Sequence, residues 1–534
     1  MYIRVTRSGK NREHQYLQLV RSYRDGKTVR QQVMATLGRR DTLVETGTLD
    51  RLLQSLGRFS ERLRVVDAVK REGLQARESK SWGPSLIFDR LWRNQNIPEI
   101  LLELAENRKF KFDAERVSFA LALQRLCNPG SDLQGSGWLN TVEGNGLTGI
   151  ELQHLYRTTA FLADIRADLE YSLFDRERDL FTDTLDVVFM DTTSVYVYRE
   201  EETEWRKRGY SRDRRNDLPQ LVIGVVVTGE GWPISWEVFP GNTADPVALR
   251  SIVSKLRDRF KIGRVVVVAD RGMMSEDTVR FLEENKESPL DYILGCRMRR
   301  QKELRQDIVS RAGRYKTVAD NLDVKEVWKE DRRYVICRNE TEAEKDAQAR
   351  KQILKHIEEI IDRKGAKSLI GNKGYARYLK VSRGSVSVNE KAVKDDALLD
   401  GKFILRTNTQ LPADEVAKTY KSLWRVERIF REQKSTLEVR PIYHHRDDTC
   451  IGHIVAGFLA LRLEVDLQKR LDEKRIDVSW PDIMRDLGQV QSVLVELDGK
   501  RYRLRTDMKG AASAVFTATG VRPPSVVELL GDVS

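Results

Sequence analysis

The run VVVVAD at 265–270 constrains the fold more than any other stretch of the chain. Four consecutive valines leave a strand without a polar face. Such a strand must be covered on both sides, as strands are in parallel or mixed sheets flanked by helices. The run nevertheless ends in a carboxylate, followed by Arg271 and Gly272. In open sheets of this kind ligands gather beyond the carboxyl ends of the strands. Asp270 therefore reads either as a working group at the tip of a rigid strand or as a turn residue capping the next helix. Ser275 is the better cap for SEDTVRF, which leaves Asp270 free.

A second carboxylate stands inside a strand. DVVFMDTTSVYVY at 186–198 has strong β-propensity, and Asp191 lies between Met190 and Thr192. A charge there is costly unless it is paired, bound to a metal ion or turned to solvent. A third carboxylate, Glu427, falls in ADEVAKTYKSLWRVERIFREQKSTLEV, which reads as one long helix over about 412–438. Tyr420, Glu427 and Lys434 repeat every seven residues and so share a stripe, with Arg431 beside them. Glu427 and Arg431 also fit an ordinary i,i+4 ion pair. Two aspartates on strands and a glutamate on a later helix offer oxygen donors only, which suits hard divalent ions. His and Cys are too sparse for a zinc site to compete.

Charge is concentrated in one place, which suits either a polyanion, nucleic acid first, or a solvated basic face. The net charge is +12, and residues 1–40 hold ten Lys or Arg against two acids. YIRVT, QYLQLVRSY and TVRQQVMATL are strand-like, with Asp25-Gly26 as a hairpin turn. Arg4, Arg7, Lys10 and Arg30 punctuate them as candidate phosphate contacts. A second basic stretch, EWRKRGYSRDRRND at 204–217, carries Arg206, Lys207, Arg208, Arg212, Arg214 and Arg215 beside Trp205 and Tyr210. That mixture suits backbone contact with stacking on an unpaired base. His444-His445 falls in a loop with a phosphate contact as one reading. His453 follows on the next helix, where it could approach the site or simply pack. At 40% hydrophobic and 33% charged residues, the composition is that of a globular chain. It contains no apolar run long enough for a membrane span and no signal-peptide core at MYIRVTRSGK, so no membrane partner and a cytoplasmic, nucleoid-associated location are expected. Four scattered cysteines make no zinc or disulfide pattern.

DTTSVYVY, GYSRDRRNDLPQLVIGVVV, EVFPGNTAD, VVVVADRGM and YKSLWRVERIFREQKSTLEVRPIYHH, in that order, resemble the DDE transposases of bacterial insertion sequences. The resemblance is to the branch with a Tyr–Arg–Glu–Lys signature on the last catalytic helix, and it covers about 186–470. It implies an α/β RNase H-like catalytic core with a largely β insertion domain before the catalytic glutamate. A small β N-terminal module and a helical region would precede that core. The implied metal triad is Asp191, Asp270 and Glu427, binding two Mg²⁺ or Mn²⁺ ions. Tyr420 and Lys434 match the signature, but Leu423 stands where it has arginine. Arg425 is two residues away on another face, so Arg431 is the better-placed cation.

The expected organisation is a basic β-hairpin DNA-binding module at 1–45 and a helical DNA-binding or linker region at 46–182. The core follows at 183–297, the insertion at 298–400, the rest of the core at 401–470 and a C-terminal region at 471–534 where a dimer could form. The implied activity is cut-and-paste transposition on double-stranded DNA, acting on terminal inverted repeats and target DNA through a homodimeric synaptic complex. A DNA-binding regulator that no longer cuts and a structure-selective nuclease are the alternatives.

Overall fold

Val266–Ala269 forms the strand that the valine run predicts, with all four side chains buried. The structure is a computed structural model that describes residues 1–8, 14–25, 28–57, 75–181, 187–258, 266–283, 290–298, 304–369, 375–382, 385–497 and 500–532. Val265, Lys10 and Gly26 lie outside the described residues. The described chain divides into two compact units.

The larger unit comprises Pro84–Met484 and Ala514–Val521. Its centre is a nine-stranded sheet: β1 (Val187–Tyr196), β2 (Gln220–Thr228), β3 (Pro233–Pro240), β4 (Val266–Ala269), β5 (Asp291–Gly295), β6 (Lys316–Ala319), β7 (Leu322–Lys329), β8 (Arg332–Arg338) and β9 (Lys402–Thr407). The spatial order is β6-β7-β8-β9-β5-β4-β1-β2-β3. β1 to β3 form an antiparallel meander, whereas β4 runs parallel to β1 and β5 parallel to β4. This is a mixed α/β arrangement with a large sheet.

Seven helices matter for the site: α1 (Ala114–Cys127), α2 (Leu152–Phe181), α3 (Asp245–Asp258), α4 (Glu276–Glu283), α5 (Ala413–Lys421), α6 (Trp424–Arg431) and α7 (Asp447–Glu473). α3 and α4 lie in the crossovers from β3 to β4 and from β4 to β5, the connections that parallel strands require. Each Val or Ile side chain fully buried between sheet and helix contributes roughly 1.5–3 kcal/mol. α2 and α7 pack so closely that a Cβ on Gly452 would lie 1.7 Å from the Thr159 carbonyl oxygen. Glu170 of α2 is almost wholly buried, accepting from the Ser235 hydroxyl and the Trp236 amide (2.9 Å) and pairing with Lys255. That network ties α2 to β3 and α3.

The segment at 298–400 departs from the sequence expectation. Part of it continues the main sheet: β8 pairs with β9 from Arg333↔Thr407 to Arg338↔Lys402. Ile336 and Ile404 belong to the same core as Val188 and Val267. RYVICRN reads as a short strand of a separate module, and only its pairing with β9 reveals that it extends the main sheet. The remainder is built around the 25-residue helix Glu340–Lys364, with a small core of its own from Ile357, Leu369, Tyr378 and Val386.

The smaller unit comprises Met1–Gly83, Arg485–Ser513 and Arg522–Ser534. Strands Tyr2–Ser8, His14–Asp25 and Thr28–Arg39 form an antiparallel sheet, as their alternation suggests. A four-stranded sheet joins Gln75–Ser81 to Gln491–Leu497, Lys500–Arg505 and Val527–Asp532. Gln75–Ser81 falls within the stretch read as helical. QARESKS carries no apolar alternation, so only its partners reveal it as a strand.

Candidate active site

Met190 and Ala269 are partners in the parallel ladder of β1 and β4, and the next residue on each strand is an aspartate. Neighbouring strands lie about 4.8 Å apart, so this register sets Asp191 and Asp270 side by side. Val188 and Met190 face the core that includes Val267 and Ala269. Asp191, one step along the strand, faces the other way, and its side chain is only 16% exposed. Burial drives its carboxyl up to about 7, with the charges of Asp270 and Asp245 adding to the rise. Arg212 and the Thr192 amide, which donates to Asp191 Oδ1 at 2.7 Å, act against it.

The Asp270 carboxylate accepts from the Tyr420 hydroxyl at 3.0 Å. That contact depends on Gly295, where a Cβ would lie 2.4 Å from the Tyr420 oxygen. Burial and the Asp270 charge push the Tyr420 phenol far above its ordinary range, so it stays a donor. Ser275 caps α4 by accepting from the Thr278 amide at 3.1 Å, leaving Asp270 for Tyr420. Arg297 donates to the carbonyls of Arg271 (2.9 Å) and Gly272 (2.7 Å), which fixes the loop after Asp270.

One participant, Asp245, escapes the sequence reading, and another, Arg212, is an expected phosphate contact that lies among the carboxylates instead. Asp245, the first residue of α3, accepts from the Thr192 hydroxyl at 2.7 Å. Arg212 Nη2 lies 2.8 Å from the Thr192 hydroxyl and 3.1 Å from Asp245 Oδ2, while its Nη1 lies 3.5 Å from Asp191. Asp245 closes the motif EVFPGNTAD, and its place at a helix start after a Gly-Asn turn was the available signal.

The glutamate helix is not the continuous rod expected. α5 ends at Lys421, and i→i+3 bonds from Ser422, Leu423, Arg425 and Val426 tighten the chain before α6 continues. Beyond Arg431 the turn widens to a π-type turn at Glu432–Thr436. Such departures re-aim side chains, so a seven-residue stripe does not persist. Tyr420 reaches Asp270, whereas Lys434 pairs with Asp213 at 3.0 Å. Burial lowers the Lys434 pKa despite that partner. α6 packs on β1 and β2, with Val426, Ile429 and Phe430 buried, and Glu427 is exposed. Among the described residues the Glu427 carboxylate makes no hydrogen bond or ion pair with the aspartates. Leu423 is buried, Arg425 lies beside Gly231 at the β2–β3 turn, and Arg431 is exposed.

The basic loop divides by environment. Arg206 is buried with its guanidinium 2.8 Å from Asp447, so it braces α7 and leaves the set of expected phosphate contacts. Lys207 is half-buried, and its backbone bridges to Gln220. Arg208 bonds the carbonyls of Glu200 and Asp217, and Arg215 pairs with Asp217. Arg214 is exposed, and Tyr210 is 86% exposed. In the N-terminal sheet Arg7 and Arg30 are exposed, while Arg4 bonds Gln18 and Gln31.

His444 and His453 go elsewhere. With Asp132 they form a buried group whose ligand atoms lie within 4.8 Å of one another. Arg125, as deeply buried as Asp132, already balances that carboxylate at 3.1 Å. Burial keeps both imidazoles neutral, and His453 Nε2 donates to the Val439 carbonyl at 3.0 Å. The group packs α1, α2 and α7 together. His445 bonds Arg199, and the four cysteines are free.

The profile of the transposase DDE domain matches residues 183–463, the stretch that carries both aspartates and Glu427. The chain belongs to the DDE transposases. The profile of the IS1634 family transposase N-terminal domain matches residues 3–71, which makes this a bacterial insertion-sequence transposase. It is a DNA-cleaving and strand-transferring enzyme whose partner is DNA and whose chemistry depends on divalent metal. Among solved structures it is similar to the piggyBac transposase synaptic complex with hairpin DNA, at 9% identity and a TM-score of 0.40, covering 76% of this chain and 79% of that one. It is also similar to the Mos1 transposase paired-end complex with left transposon end, at 12% identity and a TM-score of 0.15, covering 33% and 57%. No curated protein sequence matches it. Among the described residues no helix is long and apolar enough to cross a membrane.

Proposed function

We propose that this transposase moves its element by cut-and-paste, with Asp191, Asp270 and Glu427 as the metal-binding carboxylates of an RNase H-like core. The observation that carries the reading is the end of the β1–β4 ladder: Asp270 leaves β4 at its carboxyl end, where ligands gather, and Asp191 stands beside it within β1. The order β3-β2-β1-β4-β5, an antiparallel meander followed by two parallel strands, supports it. The segment at 298–400, partly strand and partly helix, would be the insertion before the glutamate.

The donor set fits hard divalent ions. Asp191 is largely buried beside Asp270 and Asp245, whose charges oppose its own, and a cation there would relieve the repulsion. Two Mg²⁺ ions are the proposed cofactor, with Mn²⁺ able to substitute. When bound, such ions activate the attacking oxygen and neutralise charge at the phosphodiester. The chain's own residues prepare the rest. Thr192 and Tyr420 fix one oxygen each of Asp191 and Asp270, and Gly295 lets Tyr420 approach. Glu427 completes the set once DNA brings α6 to bear. Arg431, Arg208, Arg214, Arg215 and Lys207 would hold phosphates near the site, with Tyr210 stacking on an unpaired base. Arg7, Arg30, Arg4 and Lys10 would hold the terminal inverted repeat. A homodimer would pair the two element ends before transfer to target DNA.

Strand cleavage of a duplex carrying the element's own end, in Mg²⁺ and in EDTA, tests the proposal. Wild type cuts at the element boundary only with metal, and Glu427→Gln binds the end without cutting. Binding by both proteins with cleavage by neither would return the chain to the regulator reading.

A further inference from the structure

We propose that Arg212 is the resident cation of the carboxylate site, holding Asp191 and Asp245 together until a divalent ion and a DNA phosphate replace its two sets of contacts. The inference rests on the reading of Asp191 and Asp270 as the metal site.

The geometry is that of a plug. Arg212 is anchored from behind, its amide donating to the Ser194 hydroxyl at 3.0 Å. Its guanidinium forks forward, one nitrogen to Thr192 and Asp245 and the other toward Asp191. The grip on Asp191 is loose. At 3.5 Å it is well beyond the roughly 2.7–2.9 Å of a strong charge-assisted bond. A small ion that reaches to about 2.1 Å binds the same oxygens far more closely than a guanidinium does. In this proposal the ion and the guanidinium compete for the Asp191 charge.

The neighbouring residue repeats the pattern. The Asp213 side chain is only 8% exposed and holds Lys434 at 3.0 Å and Arg440 at 3.5 Å. Two cations that the family signature or the basic loop directs to DNA, Lys434 and Arg212, are thus both engaged by carboxylates of this chain. A DNA end that supplies phosphate to Arg212 frees Asp191 for the ion, and an ion on Asp191 frees Arg212 for phosphate. Made together, the two exchanges keep the Asp191 charge paired, whereas withdrawal of Arg212 without an ion does not. Arg212 is in this account a positioning residue that makes ion binding depend on DNA. Asp245 is the anchor that keeps it in place.

The test is Mn²⁺ affinity of the full chain without DNA, followed through the paramagnetic resonance of free Mn²⁺. Arg212→Gln removes the competing charge, and its Kd for Mn²⁺ is expected to fall at least threefold below wild type. A short duplex should tighten Mn²⁺ binding to wild type and leave Arg212→Gln nearly unchanged. Should the glutamine variant not fold, Arg212→Lys, which cannot fork across two carboxylates, is expected to shift the Kd in the same direction. An affinity unchanged or weaker in the folded variant overturns the proposal. Asp191→Asn separates the two readings. If it leaves Mn²⁺ binding intact, the metal site itself is misplaced; if it abolishes binding while Arg212→Gln changes nothing, only the role of Arg212 fails.

Discussion

Replacing Asp191 with asparagine is predicted to stabilise the metal-free protein. The unfolded carboxyl titrates near 3.8 and the folded one near 7. Below the lower value both states are protonated and the residue has no effect. Between the two the unfolded state ionises first, so folding takes up a proton and stability falls as pH rises. Above 7 the cost is complete. Three units at about 1.36 kcal/mol each set a ceiling of about 4 kcal/mol. The side chain is partly exposed and Arg212 loses one partner in the variant, so a gain of about 1–3 kcal/mol is the working figure. Asparagine keeps the acceptor for the Thr192 amide, which limits collateral change. Thermal unfolding in EDTA should therefore show Asp191→Asn melting above wild type at pH 8, with the difference shrinking toward pH 5. Mn²⁺ should raise the midpoint of wild type and not that of the variant. A variant that melts below wild type at pH 8 in EDTA would refute the reasoning.

Other outcomes follow from the packing and the site. Gly452→Ala forces a Cβ against the Thr159 backbone, which cannot give way as a side chain would. It should cost about 3 kcal/mol or more, read as a lowered urea midpoint. Tyr420→Phe loses one hydrogen bond to a carboxylate, roughly 1.5–3 kcal/mol or about 10–100-fold in metal-dependent cleavage. Gly295→Ala should impair cleavage at least as much, because it displaces the same hydroxyl. Equal rates for all three proteins would remove Tyr420 from the account. Arg7→Ala with Arg30→Ala should weaken binding of the element end and lower the slope of log K against log salt by about one per lost phosphate contact. An unchanged slope would place the DNA elsewhere.

What the sequence disclosed follows from local rules. VVVVAD announced a doubly covered strand because period and length suffice for that. The alternating basic strands of the N-terminus were legible for the same reason. Asp191 was ambiguous because alternation cannot say which face of a strand is buried, and only the ladder with β4 decides it. Gln75–Ser81 was invisible, since a polar strand is specified by partners more than 400 residues away. The helix carrying Glu427 misled through its own regularity. A seven-residue repeat assumes an unbroken rod, and the tight turn at Ser422 with the wide one at Glu432–Thr436 sends Tyr420 and Lys434 to different acids. Asp245 and Arg212 meet across the sheet edge from separate motifs, so no spacing could pair them.

The central claim is that Asp270 holds a metal ion, and a change of ligand tests it most directly. Asp270→Cys places a thiolate where a hard carboxylate stood, and thiolates favour softer ions over Mg²⁺. Cleavage of an element end should be lost in Mg²⁺ and partly restored in Mn²⁺ or Cd²⁺, with DNA binding intact throughout. Cleavage by Asp270→Cys in Mg²⁺ at the wild-type rate would contradict the account.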